Sequence, residues 1–478
     1  MQTMDEQRRQ VAIVGGGITG LAAAFYLQKE VRQHNLPIDI TLIEADERLG
    51  GKIETVRRDG FVIERGPDSF LIRKQSMERL ARELGIEGEL VRNATGQAFI
   101  LLHNELHPIP GGSVMGIPTE IAPFLETELF SWKGKLRAAG DFLLPRSNAS
   151  IQGEDQPVGP FFRRRFGNEV VENLIEPLLS GVYSGDIDYM SLQATFPQFV
   201  EMEKKHRSLM IGSRKSRSKR LPQKDSHSSK KSGAFHTFRN GLETIVEALE
   251  EQLTDVRILK GRGVTDVARQ DDRMTVTLQG GETLIADDLI MTTPHRVTGD
   301  IFARHNILQE VATIPTSSVA TIALAFDEDQ VVQEQNGTGF LVSKKNDYNI
   351  TACTWTNKKW PTTTPEGKVL LRAFIGRIGE EHLVDEPDDV LVDMALTDLK
   401  KIFTITGEPD FSIVTRWKND RPQYRVGHKE RIALGRKELA EKFPNVYLAG
   451  ASYDGVGLPD CVDQGVAAIQ RVLQQINE

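Results

Sequence analysis

Residues 15–20 read Gly-Gly-Gly-Ile-Thr-Gly directly after the apolar run Val11–Val14, and no other feature limits the fold so strongly. The run suits a buried parallel strand. In a G-x-G-x-x-G turn, Gly15 permits the tight bend and Gly17 lets backbone approach a pyrophosphate. Gly20 lets the next helix pack closely on the strand. Gly16, Ile18 and Thr19 complete the loop. A helix is predicted from Leu21 to about Lys29, with Asn35 and Pro37 ending the region before a second strand, Ile38–Ile43. This is a β-α-β unit whose helix N-terminus offers unpaired N–H groups and partial positive charge to phosphates. Glu44 ends the second strand, 24 residues past Gly20. A carboxylate there can accept both hydrogen bonds of an adenosine ribose.

The chain has 478 residues, enough for about three domains or two with long insertions. With 39% apolar and 26% charged residues it reads as globular. Its net charge of −8 argues against a nucleic-acid partner. Two cysteines, Cys353 and Cys461, exclude a disulfide framework and a Cys-rich metal site, and fit a reducing cytoplasm. No run of apolar residues is long enough for a transmembrane segment. Residues 11–27 mimic a signal peptide after Arg8-Arg9, but their four glycines would spoil its helix, so no export signal is expected.

Helices are expected at Phe161–Phe166, Glu169–Leu179, Leu242–Leu253, Asp388–Phe403 and Asp463–Ile476. Strands are expected at Val256–Leu259, Met274–Leu278, Leu289–Thr292, Ser317–Phe326, Lys368–Ile375 and Val446–Ala449. Residues 203–231 hold 11 Lys or Arg and, after Glu203, one acid, Asp225. With many serines and few apolar residues they read as an exposed, solvated loop.

Glu44-Ala45-Asp46-Glu47-Arg48-Leu49-Gly50-Gly51-Lys52 carries the acid on into an Arg and a second glycine pair. It resembles the extended FAD signature of the amine oxidase superfamily. Ile63–Phe70, Glu176–Asp186, Thr354–Pro361, Arg416-Trp417 with Pro422-Gln423-Tyr424, and Gly455–Cys461 add further blocks. Together they resemble the protoporphyrinogen/coproporphyrinogen oxidase family over nearly the whole chain, most closely its soluble Gram-positive branch.

That resemblance implies an α/β and α+β flavoprotein, with a doubly wound FAD domain and a mixed sheet-and-helix substrate domain. The FAD parts fall at 1–75, 233–300 and 413–478. Substrate regions fall at 76–205 and 301–412, with the basic loop at 206–232 between them. It carries FAD contacts onto Gly15, Gly16, Gly17, Ile18, Thr19, Gly20, Glu44, Ala45, Lys52, Gly66, Pro67, Asp68, Ser69, Val264, Trp417, Val456, Gly457 and Leu458. Related flavoproteins often have an acid where Ala451 stands, so no side-chain contact is expected there.

The implied reaction removes six electrons from a porphyrinogen in haem synthesis, with flavin N5 accepting hydride, O2 as final acceptor and H2O2 as product. It implies no catalytic side chain and no metal. The substrate is an apolar macrocycle with propionates, four in coproporphyrinogen III and two in protoporphyrinogen IX. Such a ligand asks for an apolar pocket with cations at its rim. Lys74 stands where the family has a cation facing a propionate, and Arg73 is its neighbour; Lys358-Lys359 and Arg163–Arg165 are weaker candidates. Coproporphyrinogen III is the expected substrate, with protoporphyrinogen IX as the alternative. More distant alternatives are a flavin amine oxidase, a carotenoid desaturase or a flavin-free Rab GDP-dissociation inhibitor. A downstream haem-pathway enzyme is an expected transient partner.

Overall fold

The computed structural model describes residues 8–118, 120–218 and 233–477. The chain divides into two units. One is made of Met1–Val91, Ala234–Ile314 and Lys429–Glu478, the other of Arg92–Gly233 and Pro315–His428.

The first unit is built on a five-stranded sheet in the order Val256–Leu259, Ile38–Ile43, Arg9–Val14, Asp288–Met291, Val446–Leu448. All four pairings are parallel. Val11 to Val14 are buried throughout, as expected of a strand covered on both faces. Strand order reverses at Arg9–Val14, so the crevice beyond its carboxyl end is the topological switch point where such sheets bind ligands. Helix Ile18–His34 buries Leu21 to Ala24 completely, and Asn35 ends it in the left-handed conformation. The last helix, Leu458–Asn477, approaches it closely at Gly465, where a Cβ would lie 2.6 Å from the Thr19 carbonyl. That helix begins five residues before the expected Asp463. A smaller antiparallel sheet holds Val264–Gln270, Arg273–Leu278 and Thr283–Ala286.

The second unit contains a seven-stranded sheet ordered Phe411–Pro422, Thr316–Asp327, Lys368–Ile375, Ile350–Trp355, Gly339–Val342, Phe99–Leu102, Glu105–Pro108. Helix Asp388–Lys400 covers it through Leu391, Ala395 and Leu399. A helical cluster packs around Phe161, Phe162, Phe166, Leu174 and Phe199.

Four expectations change. Strand Phe411–Pro422 pairs antiparallel with Thr316–Asp327, so residues 413–428 belong to the second unit rather than to the third FAD segment. Helix Ser76–Glu83 buries Met77, Leu80 and Ala81 in the core that holds Leu27, which extends the first segment from 75 to Val91. The expected helix Glu169–Leu179 is interrupted by a π-helical turn, Val171–Ile175. Pro177, at the start of helix Glu176–Tyr183, has no N–H for a regular ladder.

The basic stretch is not a loop where it is described. Residues 203–206 end helix Pro197–His206, and Leu209–Ser218 is a second helix. Residues 219–232 of the expected loop lie outside the described residues. Glu203 anchors the start of the stretch, with its side chain and that of Arg165 fully buried against each other. Arg165 also meets the buried Asp141 at 3.2 Å, and Asp141 accepts from the Ser208 hydroxyl at 2.6 Å. Burial alone would raise the Glu203 carboxyl, but hydrogen bonds from Ser150, Arg165 and Ser147 prevail and hold it below the ordinary value.

Candidate functional site

The glycine loop leaves the sheet at the switch point. Gly15 has φ +108°, a conformation open to glycine. A Cβ on Gly20 would lie 1.9 Å from the Gly15 carbonyl oxygen, so only glycine lets the helix sit this close. Gly17 differs, because a Cβ there would meet nothing within 4 Å. It caps helix Ile18–His34 without any side-chain bond, and the first turn carries no acid. The helix N-terminus therefore presents donors and positive potential beside open space, as a bound phosphate requires.

The second glycine pair is stitched to the first loop. Gly50 N–H donates to the Gly16 carbonyl at 2.8 Å, and a Cβ on Gly51 would come within 3.3 Å of the Gly17 Cα. Arg48 holds this turn from within, donating to the carbonyls of Leu49 at 3.1 Å, Ile53 at 3.0 Å and Gly51. Its guanidinium thus serves the loop's geometry rather than a solvated surface. Lys52 lies near enough to His295 and Cys461 for its charge to act on both.

Glu44 accepts the Gly16 N–H at 2.5 Å on one oxygen and the Asp46 N–H at 2.9 Å on the other. Each oxygen keeps a second lone pair, so the carboxylate is oriented by the backbone yet can still accept from a diol. Residues 261–264 run alongside. Gly261 N–H donates to the Asp46 carbonyl and Arg262 N–H to that of Glu44, each at 2.9 Å. A Cβ on Gly263 would lie 3.6 Å from that of Ala45, and the next residue, Val264, opens its strand and is buried.

At the far end of the sheet, strand Val446–Leu448 runs into Gly450 at φ +121°, and Gly455 follows at φ +138°. Val456 and Gly457 then lead to Leu458, the first residue of the last helix. The Gln464 side chain clasps this turn, accepting from Gly450 N–H at 3.0 Å and donating to the Gly455 carbonyl at 3.2 Å. Thr292 does the same for the first loop, its hydroxyl 2.9 Å from the carbonyls of both Val14 and Gly15. No motif names Gln464 or Thr292. A polar residue nearly two turns inside the last helix and a threonine at a strand's carboxyl end were the available signals.

Lys74 is attached to this turn. Its ammonium lies 2.6 Å from a carboxylate oxygen of Asp460, in the first turn of the last helix. It is therefore not separate from the cofactor motifs, and it pairs with an acid that the positive end of the helix dipole also favours. Arg73 is exposed. Gly66, Pro67, Asp68 and Ser69 form a half-buried irregular segment between strands Phe61–Glu64 and Phe70–Leu71, with the Ser69 hydroxyl 2.7 Å from Asp68.

His295 is buried behind the Gly450 turn. Its Nδ1 is 3.1 Å from the Ser452 hydroxyl, and Nε2 is 2.8 Å from the Ile314 carbonyl. The carbonyl can only accept, so Nε2 carries the proton and Nδ1 accepts from Ser452. Burial, chiefly, pushes its pKa below the usual value, with smaller effects from Arg296 and Lys52. Burial pushes the Cys461 thiol up to about 11, which makes it inert. Among the described residues no group of three or more His, Cys, Asp or Glu is placed to hold a metal ion.

The remaining candidates lie in the second unit. Trp417 pairs across strands with Val319. Lys358 donates to the carbonyls of Gln333 and Gln335 at 3.2 and 2.7 Å. Arg163 pairs with Asp188, and Arg164 and Arg165 with Glu203. These four cations are occupied by the protein itself.

A family profile described as flavin containing amine oxidoreductase matches residues 18–473. A Bacillus subtilis (strain 168) protein named coproporphyrinogen III oxidase is 51% identical over 98% of this chain and 99% of its own. The chain belongs to the coproporphyrinogen III oxidase family of flavin-containing oxidoreductases. A second member, from Staphylococcus aureus, is 43% identical over 98% of this chain and all of its own length. A bovine protoporphyrinogen oxidase is 30% identical over 97% and 98%. A solved structure from Exiguobacterium sp. 255-15, provisionally named protoporphyrinogen oxidase, is 42% identical. It superposes with a TM-score of 0.85 over 98% of this chain and 99% of its own. Membership makes this protein a flavin-dependent oxidase with the expected two-part fold. The open side of Gly17 and the uncapped helix beside it fit such a cofactor.

Proposed function

We propose that this protein is an FAD-dependent oxidase that converts coproporphyrinogen III to coproporphyrin III in haem synthesis. The observation that carries the reading is the 51% identity, over essentially both full lengths, to the B. subtilis protein of that name. FAD, rather than a shorter flavin, suits a site with both a phosphate loop and an oriented ribose acceptor, Glu44. Gly15–Gly20 would hold the pyrophosphate, Ala45 and Val264 would lie by the adenine, and Val456–Leu458 would border the ring system. Lys52 and the Gly66–Ser69 segment would complete the binding set.

Bound FAD supplies a two-electron acceptor that O2 can reoxidise. Losing six electrons and six hydrogens, the substrate would turn three O2 into three H2O2. The chain's own part is to bind, orient and keep water out. No side-chain acid or base is assigned; His295, the buried imidazole beside the turn, spends both nitrogens on Ser452 and Ile314.

Lys74 and Arg73 are the proposed propionate contacts. The Lys74 ammonium has three donors and gives at least one to Asp460, so it can still face a carboxylate. The cytoplasm is the proposed compartment, and a downstream haem-pathway enzyme the proposed recipient of product. The bovine relative's name keeps protoporphyrinogen IX as the second reading. The test is a parallel assay of both porphyrinogens with O2, reading porphyrin fluorescence and peroxide. Higher kcat/KM on coproporphyrinogen III supports the proposal, and preference for the divinyl substrate overturns it.

A further inference from the structure

The seven-stranded sheet of the second unit has two faces of different character. Ala320, Ile322, Leu324, Leu371, Ala373 and Ile375 point into the core under helix Asp388–Lys400. Alternation along the paired strands puts Thr321, Ala323, Thr354, Arg372 and Phe374 on the opposite face. Leu341 shares that face. There helix Glu176–Tyr183 lies close, and a Cβ on Gly181 would be 2.6 Å from a Leu341 methyl. Leu341, Thr354 and Phe374 are only half-buried, so part of this surface stays accessible.

Two arginines approach each other on it. Arg372 is buried, with its guanidinium 5.0 Å from the Phe374 ring centroid. Arg421 lies near the end of strand Phe411–Pro422 and donates at 2.6 Å to the hydroxyl of Ser184, the residue that ends helix Glu176–Tyr183. Among the described residues, the one acid whose charge reaches Arg421 is its neighbour Asp420, and the charge of Arg372 outweighs it. Burial, chiefly, and then that repulsion push the Arg421 pKa down to about 10, which leaves it cationic at neutral pH. It is nonetheless half-buried, as a group on the wall of a recess is, and a ligand can reach it.

The arrangement is fixed in advance by Gln423. Its buried amide donates to the Tyr183 carbonyl at 3.1 Å and to the Ser317 hydroxyl at 3.0 Å. Ser317 pairs with Arg421 across the strands. Helix end and strand end are thus tied together around the guanidinium.

Like charges in a desolvated place are unfavourable until an anion joins them. A guanidinium has five donors in a planar fork that matches a carboxylate, and Ser184 takes one of them. The apolar surface beside it suits a carboxylate carried on an apolar body.

We propose that Arg421, with Arg372 beside it, binds a propionate of the porphyrinogen on this face of the second unit. The inference rests on the reading of the protein as a coproporphyrinogen III oxidase, and adds a carboxylate contact to it. The carboxylate relieves the repulsion between the two guanidinium groups, so an arrangement unfavourable for folding becomes favourable for binding.

The test uses the full-length, flavin-loaded protein, native and as Arg421→Met. Each is titrated with coproporphyrin III, a stable tetracarboxylate, and with its uncharged tetramethyl ester, reading tryptophan quenching. The native protein should bind the acid at least about tenfold more tightly than the ester, and Arg421→Met should narrow that ratio about tenfold. In turnover of coproporphyrinogen III, Arg421→Met should raise KM about tenfold, with kcat within about twofold and the flavin spectrum unchanged. Without ligand it should melt no lower than the native protein, because a desolvated charge has gone; coproporphyrin III should raise the melting temperature of the native protein more. Arg421→Lys keeps the charge and loses the fork. It should show a smaller loss in the same direction, and it carries the titration if Arg421→Met does not fold. An unchanged acid-to-ester ratio overturns the proposal. So does a lowered melting temperature with unchanged KM, which would make Arg421 a prop for Ser184. A native protein that fails to oxidise coproporphyrinogen III overturns the proposed function instead, and the titration then still decides whether Arg421 holds a carboxylate.

Discussion

The two units build their critical places from opposite materials. In the first, the site is made of backbone and of missing side chains. Gly20 is tight against Gly15, Gly50 donates to Gly16, and Gly17 borders open space. In the second, a cluster of charge is buried beside the apolar helical core. Arg165, Glu203 and Asp141 are each fully buried and depend on one another. A backbone site keeps its place when a ligand leaves, because sheet and helix hold it. A buried charge cluster keeps its place only while every partner remains.

The largest expected effect separates folding from binding within the glycine loop. Gly17→Val should fold, since a Cβ there meets nothing, yet purify without flavin because the side chain fills the phosphate's space. Gly20→Val should fail to fold, since its Cβ would overlap the Gly15 carbonyl. Flavin absorbance and thermal melting on both variants check this. Normal flavin content in a folded Gly17→Val would sink the assignment of the loop.

Next comes the charge cluster. Arg165→Leu leaves buried Asp141 without its cation and Glu203 with Arg164 alone, and should cost about 3–5 kcal/mol in denaturant unfolding. A loss under about 1 kcal/mol would show that the cluster is solvated after all, and would erase the contrast between the units.

Smaller still is the effect of the cations proposed to face substrate. Lys74→Ala should lower kcat/KM on coproporphyrinogen III about ten- to a hundredfold, as the loss of a charge-assisted hydrogen bond does. It also strips Asp460 of its partner at the N-terminus of the last helix, so the flavin spectrum decides the cause. An unchanged spectrum with a raised KM supports a substrate contact. A shifted spectrum with unchanged kinetics would make Lys74 a positioning residue for the turn and leave Arg73 as the anchor to test.

The smallest effect is on pH. His295 is held below its ordinary pKa in the folded protein, while the unfolded chain titrates near 6.5. As pH falls, the unfolded state takes up the proton first, so this stability is complete above about pH 6.5 and declines below it. The melting temperature should drop by a few degrees more between about pH 7.5 and 5.5 in the native protein than in His295→Gln. Equal slopes would mean that the buried imidazole protonates without cost.

Sequence legibility follows the same division. Strand Ile38–Ile43 and strand Lys368–Ile375 were readable to the residue, because long apolar or alternating runs report burial directly. The four-residue strands Phe99–Leu102 and Gly339–Val342 were not, since so short an apolar run fits either helix or strand until a neighbour pairs with it. The basic stretch misled in its first half. Its lysines and arginines describe a solvated surface, but Glu203, Ser208 and Leu209 are buried, and residues 203–206 and 209–218 are helix.

By itself the sequence determined the β-α-β opening, the place of the glycine loop, and the acid that follows it. These are properties of local backbone, and glycine spacing encodes them directly. Only the tertiary structure decided that Lys74 pairs with Asp460, that Gln464 and Thr292 clasp the two turns, and that Arg165 sits between Asp141 and Glu203. Those contacts join residues 24 to 386 positions apart in the chain, or, for Gln464, turn a side chain back on its own helix's entrance. Their partners are chosen by which surfaces fold against each other, and no local pattern carries that information.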